Sequence, residues 1–181
     1  SASFIINGKY LVDTGWYAVI KMLSYGIHPS DLEYLFVTHW HGDHFIGLPQ
    51  LLHYLRVGPL RTLKERVINI IGPSEHLENI VTQSLLLPHR FLPLPKLNLR
   101  LNLIPLRPGE SYENDDFHIA TCASVHTIEG LVYRFTDKHT NATLAFTGDT
   151  APHPSIAIHV KGVSLLIHDA THGPNLHLHR A

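Results

Sequence analysis

Short apolar runs bounded by turn residues dominate this chain, and four stretches read as helices interrupt them. Ser3 to Ile6 and Tyr10 to Val12 flank Asn7-Gly8, a dipeptide suited to the positive φ angles of a tight turn, so a hairpin is expected there. From Trp16 to Tyr25 the apolar residues recur at helical spacing and stop before Gly26, a natural C-terminal break. Ser30 and Glu33 have the spacing of a capping box, which predicts a short helical turn ahead of a buried strand at Leu35 to Val37. A helix is expected over Ile46 to Val57, with Pro49 in its first turn, then a strand at Val67 to Ile71. Ser74 is read as the cap of a helix running to about Leu87, and Pro88 to Pro95 as irregular.

In the second half the period shortens to two. Leu97, Leu99, Leu101 and Leu103 alternate with Asn98, Arg100 and Asn102, the rhythm of a half-buried strand over Leu97 to Leu106. Further strands are expected at Phe117 to Val125, Leu131 to Thr136, Thr143 to Phe146 and Val163 to Ile167, with a helix near Ser155 to Lys161 between the last two. Strands with interspersed helices suggest sheets packed together with helices outside.

Composition narrows the class. With 181 residues, 44% hydrophobic and 16% charged, the chain has apolar material for one core, so a single domain over residues 1–181 is expected. No apolar run approaches the roughly 18 residues of a spanning helix, and no secretory leader is recognisable. The sole cysteine, Cys122, has no internal disulfide partner and is read as a small buried residue in a strand, which fits a cytoplasmic protein. A net charge of −1 gives no general attraction to nucleic acid. Charge is uneven, however: Arg56, Arg61, Lys64, Arg66, Arg90, Lys96, Arg100 and Arg107 face only Glu65, Glu75 and Glu78 over the same stretch. That segment is read as a solvated face, with a phosphate-binding surface as the alternative.

Sixteen histidines direct attention to metal. Thr38-His39-Trp40-His41-Gly42-Asp43-His44 follows the Leu35 to Val37 strand, at the C-terminal edge where open α/β sheets place their chemistry. In extended backbone, side chains two apart point the same way, so His39 and His41 can reach one ion. Gly42 permits a sharp fold that would turn Asp43 and His44 toward a neighbouring point. Three imidazoles and a carboxylate within six residues suit two adjacent borderline cations better than one. The opposing reading, histidines satisfied by local hydrogen bonds, gives no reason to pack four polar side chains after a buried strand. His28, His53, His76, His89, His118, His139, His153 and His159 match no ligand spacing and are read as surface or helix-packing residues.

His39-x-His41-x-Asp43-His44 resembles the signature of the metallo-β-lactamase superfamily, and other markers follow in order. Leu11-Val12-Asp13-Thr14-Gly15 is similar to its strand ending in Asp and Gly, which casts Asp13 as support behind the metal loop. His126 resembles the third histidine of the first metal site, and Asp149, in Phe146-Thr147-Gly148-Asp149-Thr150, the aspartate bridging both ions. The fold implied is α/β, an αββα sandwich of two mixed sheets packed face to face with helices outside. Within the superfamily, His126 to Phe135, Thr147 to Pro152 and Leu165 to Thr171 resemble the tRNase Z group, and His168 takes the position of its transition-state-stabilising histidine, although Asp169 stands where that group has Glu. The resemblance further implies that the chain begins after the group's glycine-rich first strand and stops before its C-terminal helix. The long tRNA-gripping arm is missing. His177 is the candidate for the last metal ligand, with His172 and His179 as rivals.

The activity implied is hydrolysis of a phosphodiester, precursor tRNA being the substrate, by a zinc-dependent endoribonuclease carrying two Zn2+, with Mn2+ or Fe2+ as alternatives. A water shared by cations about 3.5 to 4 Å apart loses its proton near neutral pH and supplies the nucleophile. Asp43 would shuttle a proton, and His168 would donate to the developing oxyanion. A homodimer is implied by the same resemblance. Two other readings stand beside it: a small-molecule hydrolase acting on a lactone, thioester or cyclic phosphodiester, and a catalytically degenerate metal-binding protein. A di-iron oxygen reductase is disfavoured, because that branch carries glutamate where this chain has His41.

Overall fold

A computed structural model describes residues 3–57, 66–89 and 99–170. The chain divides into two compact units, Ser1–Pro105 and Leu106–Ala181.

The first unit is built on a five-stranded mixed sheet in the order β1-β2-β3-β4-β5. Strands β1 (Phe4–Ile6) and β2 (Tyr10–Val12) form the expected hairpin, with Asn7 at φ 53° and Gly8 at φ 70° in the turn. Strands β3 (Tyr34–Phe36) and β4 (Arg66–Pro73) continue it in parallel, with Val12 opposite Phe36 and Phe36 opposite Ile71. All three β3 residues are buried, as a parallel strand flanked on both sides requires. β5 (Leu99–Leu106) reaches the start of the second unit, with Leu99, Leu101 and Leu103 half-buried and Arg100 and Asn102 exposed.

Helices α1 (Ala18–Ser24), α2 (Gly42–Phe45), α3 (Leu48–Val57) and α4 (Leu77–Leu86) belong to this unit. On α3, Leu48, Leu51, Leu52 and Leu55 form an i, i+3, i+4, i+7 stripe, all within a core that includes Leu11, Leu35 and Ile70. Burying each such side chain contributes about 1.5–3 kcal/mol.

Local chemistry departs from expectation at three places. The helical turn at Pro29–Asp31 is capped by His28, whose Nδ1 accepts from Ser30 N at 3.3 Å, so Ser30 is not the cap. Helix α4 starts at His76, in left-handed conformation at φ 67°, without a side-chain cap, so Ser74 plays no capping role. The expected helix over Ile46 to Val57 is α3, which opens two residues later at Leu48 with Pro49 in its first turn. Gly42 opens α2 rather than a sharp turn, and a Cβ at Gly42 would meet nothing within 4 Å. The expected irregular stretch Pro88 to Pro95 opens with 3-10 helix at Leu87–His89, and its remainder lies outside the described residues.

The second unit carries another five-stranded mixed sheet, in the order β10-β9-β8-β7-β6. β6 (Ser111–Glu113), which the sequence pattern did not suggest, pairs antiparallel with β7 (Phe117–Ala123). β8 (Leu131–Asp137) runs antiparallel to β7 and to β9 (Thr143–Phe146), and β10 (Leu165–Ile167) parallel to β9. Phe117, Ile119 and Thr121 are buried while His118, Ala120 and Cys122 between them are half-exposed. Helix α5 (Pro154–His159) is pinned at both ends: His153 Nδ1 accepts from Ser155 N at 3.3 Å, and Arg134 Nη1 donates to the carbonyls of His159 and Lys161 at 2.9 and 3.1 Å.

Candidate metal centre

In the first unit, parallel strands β2 and β3 end side by side, and the loops leaving them carry the candidate residues. Asp13, the residue after β2, sits in left-handed backbone at φ 55° with no solvent exposure. Its N–H donates to Phe36 O at 2.8 Å. Its Oδ1 accepts from Thr38 N at 2.8 Å, and its Oδ2 accepts from Thr38 Oγ1 and His44 Nδ1, both at 2.8 Å. Burial pushes the Asp13 carboxyl above its ordinary range, and the bonds from His44 and Thr38 pull it partly back.

This network fixes two imidazoles. Thr38 has one hydroxyl hydrogen and gives it to Asp13, so toward His39 Nδ1, at 3.1 Å, the hydroxyl accepts from an N–H. His44 likewise uses its Nδ1–H on Asp13. In each neutral ring the lone pair is then on Nε2. The His39 and His44 ring centres lie 4.1 Å apart, and those of His39 and His41 4.9 Å apart at 83°. Asp43 Oδ2 is 3.6 Å from His44 Nε2. Between the first two histidines, Trp40 is buried, packs edge-on to Phe45 at 5.8 Å, and holds the loop to the core. Behind them, Thr14 N donates to His44 O at 2.7 Å and Gly47 N to Thr14 O at 2.8 Å. A Cβ on Gly47 would stand 2.5 Å from Gly15 O, so only glycine allows this approach.

The donor chemistry fits a borderline cation. Crowded imidazoles, backed by the buried Asp13 carboxyl and beside the partly exposed Asp43, are a donor set that a metal ion satisfies.

In the second unit, β7, β9 and β10 all end at one edge of the sheet, because β7 and β9 share a direction across β8 and β10 is parallel to β9. His126 lies in the loop after β7, Asp149 in the loop after β9, and His168 directly after β10. Hydrogen bonds join these loops: Val125 N donates to Thr150 Oγ1 and Ala151 N to Val125 O, both at 2.9 Å. Thr147 N donates to Ile167 O at 3.2 Å, and Thr147 Oγ1 is 3.0 Å from His168 Nδ1. Thr147 gives its own hydrogen to Gly148 O, so it accepts from His168 Nδ1–H. His168 Nε2 therefore donates only when the ring is an imidazolium.

Each unit thus gathers its own candidates: Asp13, His39, His41, Asp43 and His44 in the first, and His126, Asp149 and His168 at one sheet edge in the second. His172, His177 and His179 lie outside the described residues. Sequence reasoning passed over Thr38, Thr147 and Gly47. Their only signal was position: a threonine before the first motif histidine, a threonine two before Asp149, and a glycine three after His44.

Comparison with known proteins bears on the fold and the family. A family model described as "Anti-Pycsar protein Apyc1" matches residues 4–180. A ribonuclease Z of Sulfurisphaera tokodaii is 24% identical over 89% of this chain, which spans 65% of that relative's length. Among solved structures, human tRNase Z short form superposes with a TM-score of 0.73 at 19% identity, over 91% of this chain and 68% of that one. The metallo-β-lactamase fold protein YhfI of Bacillus subtilis gives a TM-score of 0.71 at 21% identity, over 91% and 61%. These likenesses show the metallo-β-lactamase fold, the α/β class expected from the motifs. Among the described residues no helix is long and apolar enough to cross a membrane.

Proposed function

This chain belongs to the family described as anti-Pycsar protein Apyc1, within the metallo-β-lactamase superfamily and near ribonuclease Z, and on that premise we propose that it is a metal-dependent phosphodiesterase. The observation that carries the reading is the Asp13–Thr38 pair, which engages Nδ1 of both His39 and His44 and leaves their Nε2 atoms basic. By the motif resemblance, His39, His41 and His126 would serve one ion, Asp43, His44 and a C-terminal histidine, His177 or else His172 or His179, would serve the other, and Asp149 would serve both.

Two bound divalent cations, zinc by donor type, would supply Lewis acidity that acidifies water and neutralises charge on the phosphodiester oxygens. The chain's own part is positional. Asp13 holds His44, and through Thr38 also His39, in the tautomer a ligand needs. Asp43, half-exposed beside His44 Nε2, accepts a proton from the incoming water and passes it to solvent. His168, oriented by Thr147, donates from Nε2 as imidazolium to the oxygen on which charge develops.

Precursor tRNA is the first substrate proposed, supported by the name of the ribonuclease Z relative and by the His126 to Phe135 segment. A small cyclic phosphodiester is the second, favoured by membership of a family that carries a different name and by a net charge of only −1. A homodimer is proposed as well, supported by the exposed Trp16, Tyr17, Ile20 and Tyr25 around α1. The test is elemental analysis with turnover of bis(p-nitrophenyl) phosphate, precursor tRNA and 3′,5′-cyclic nucleotides. Two metals per chain with hydrolysis of any of the three are expected. Metal-loaded protein that cleaves only lactones or thioesters, or nothing, removes the proposal.

A further inference from the structure

Outside the histidine loop, the 3-10 turn at Pro29–Asp31, α5 and α4 each open at a histidine. His28 and His153 do so in extended backbone, and each accepts on Nδ1 from the N–H two residues on, Ser30 or Ser155, at 3.3 Å. His76, ahead of α4, does neither. Its backbone is left-handed, at φ 67° and ψ −3°, a conformation that strains a residue carrying a Cβ, and its ring makes no cap hydrogen bond. The helix draws no support from this imidazole. A left-handed non-glycine residue with no part in the local structure is the kind of position where strain accompanies function.

His76 belongs to the edge where the metal-type residues of the first unit gather. Strands β2, β3 and β4 are parallel, with Val12 beside Phe36 and Phe36 beside Ile71, so the loops leaving them emerge next to one another. Asp13 lies in the first, His39 to His44 in the second, and Ser74 to His76 in the third. The third packs directly on the second: Val37 N donates to Ile71 O at 2.8 Å, and a Cβ on Gly72 would stand 3.2 Å from Val37 Cβ and 3.4 Å from Trp40 Cζ2. The His76 ring is exposed, with Nε2 3.3 Å from Glu75 Oε1, which leaves Nδ1 as its remaining nitrogen. A cavity of about 500 Å3 beside it, lined by Ser74, His76, Leu77, Glu78, Asn79 and Thr82, gives room for a bound group.

We infer that His76 is a substrate-contacting residue: its imidazole donates to a phosphate oxygen of a phosphodiester held at the histidine loop. The inference deepens the phosphodiesterase reading and rests on it for the nature of the substrate. With Nε2–H directed at Glu75, the ring reaches the anion through Nδ1–H as an imidazolium, a charged donor that makes a strong hydrogen bond to phosphate. A capping role would require the bond that His28 and His153 make. A merely solvated side chain would not require left-handed backbone.

Two variants separate the ring from the backbone it stands on. His76→Gly removes the imidazole and suits a positive φ, whereas His76→Asn tolerates that φ and keeps an N–H donor. On metal-loaded protein, KM and kcat for bis(p-nitrophenyl) phosphate are measured beside metal content and the urea midpoint. Calorimetry gives the affinity for diphenyl phosphate, a diester with a poor leaving group. In His76→Gly the KM should rise and the diphenyl phosphate affinity fall, each about 10- to 100-fold, with a smaller change in kcat and unchanged metal content. The urea midpoint should be equal or higher, because glycine relieves the left-handed strain. His76→Asn should fall between the variant and the native protein. Unchanged KM and affinity in His76→Gly overturn the inference, and so does a lower urea midpoint, which would assign the ring to the fold. Diester turnover that His76→Gly leaves untouched keeps the phosphodiesterase reading and removes His76. Native protein that binds diphenyl phosphate through His76 but hydrolyses no diester keeps the contact and loses the catalytic reading, and protein that does neither removes both.

Discussion

His44 Nδ1 and Asp13 Oδ2, thirty-one positions apart, are joined by a 2.8 Å hydrogen bond in a place solvent does not reach. The same carboxylate takes both donors of Thr38, so one side chain after β2 sets the orientation of the histidine loop after β3. Asp13→Asn preserves the shape but brings an amide hydrogen against a neighbouring donor and removes the pull on His44. Zinc affinity should fall about 10- to 100-fold, read by chelator competition. An unchanged affinity would mean that the carboxylate serves folding alone.

The close passage of Gly47 past Gly15 and Thr14 sets the position of α2 and α3 behind the histidine loop. In Gly47→Ala the new methyl meets backbone oxygens at 2.5 and 2.9 Å, so the backbone itself must shift. Stability should drop by about 1–3 kcal/mol, seen as a lower midpoint in urea. A substitution at Gly42, where a Cβ meets open space, should cost far less.

Cys122 is the chain's sole thiol, and burial pushes it up to about 11. The reactive thiolate is therefore scarce in the folded protein at pH 8. Labelling by a disulfide reagent should be about a hundredfold slower in native protein than in urea. Comparable rates would place Cys122 in an open, ionised setting.

His159, in the last turn of α5, is held below the ordinary histidine range by burial, only partly offset by its interaction with the backbone carbonyls of Ala120 and Val132, which favour the protonated ring. A depressed folded value means that its contribution to stability is complete above about pH 6.5 and is lost as pH falls through the folded value. The urea midpoint should decrease between pH 8 and pH 5, and His159→Gln should show a smaller decrease. An identical pH dependence in the variant would assign the loss to other histidines.

Around α1, Trp16, Tyr17, Ile20 and Tyr25 expose more apolar surface than a lone helix needs. Tyr17→Asp combined with Ile20→Asp should convert a dimer to a monomer in sedimentation without changing metal content. A monomeric native protein would remove the dimer proposal.

Much of the site could be read from spacing alone. Periods of two and of 3.6 state which face each residue occupies, so the hairpin at Asn7-Gly8, the alternation from Phe117 to Cys122 and the α3 stripe follow from local rules. The order of the metal-type motifs is likewise a property of the chain. Local rules failed where two choices of similar local energy compete: His28 or Ser30 as a cap, a helical turn or a sharp bend at Gly42. Tertiary structure decided those, and it alone supplied the partners. Because β2 and β3 run parallel with Val12 opposite Phe36, the residues just beyond them meet, and Asp13 falls against Thr38. Strand register brings together atoms twenty-five positions apart, and no spacing along the backbone encodes a hydrogen bond of that reach.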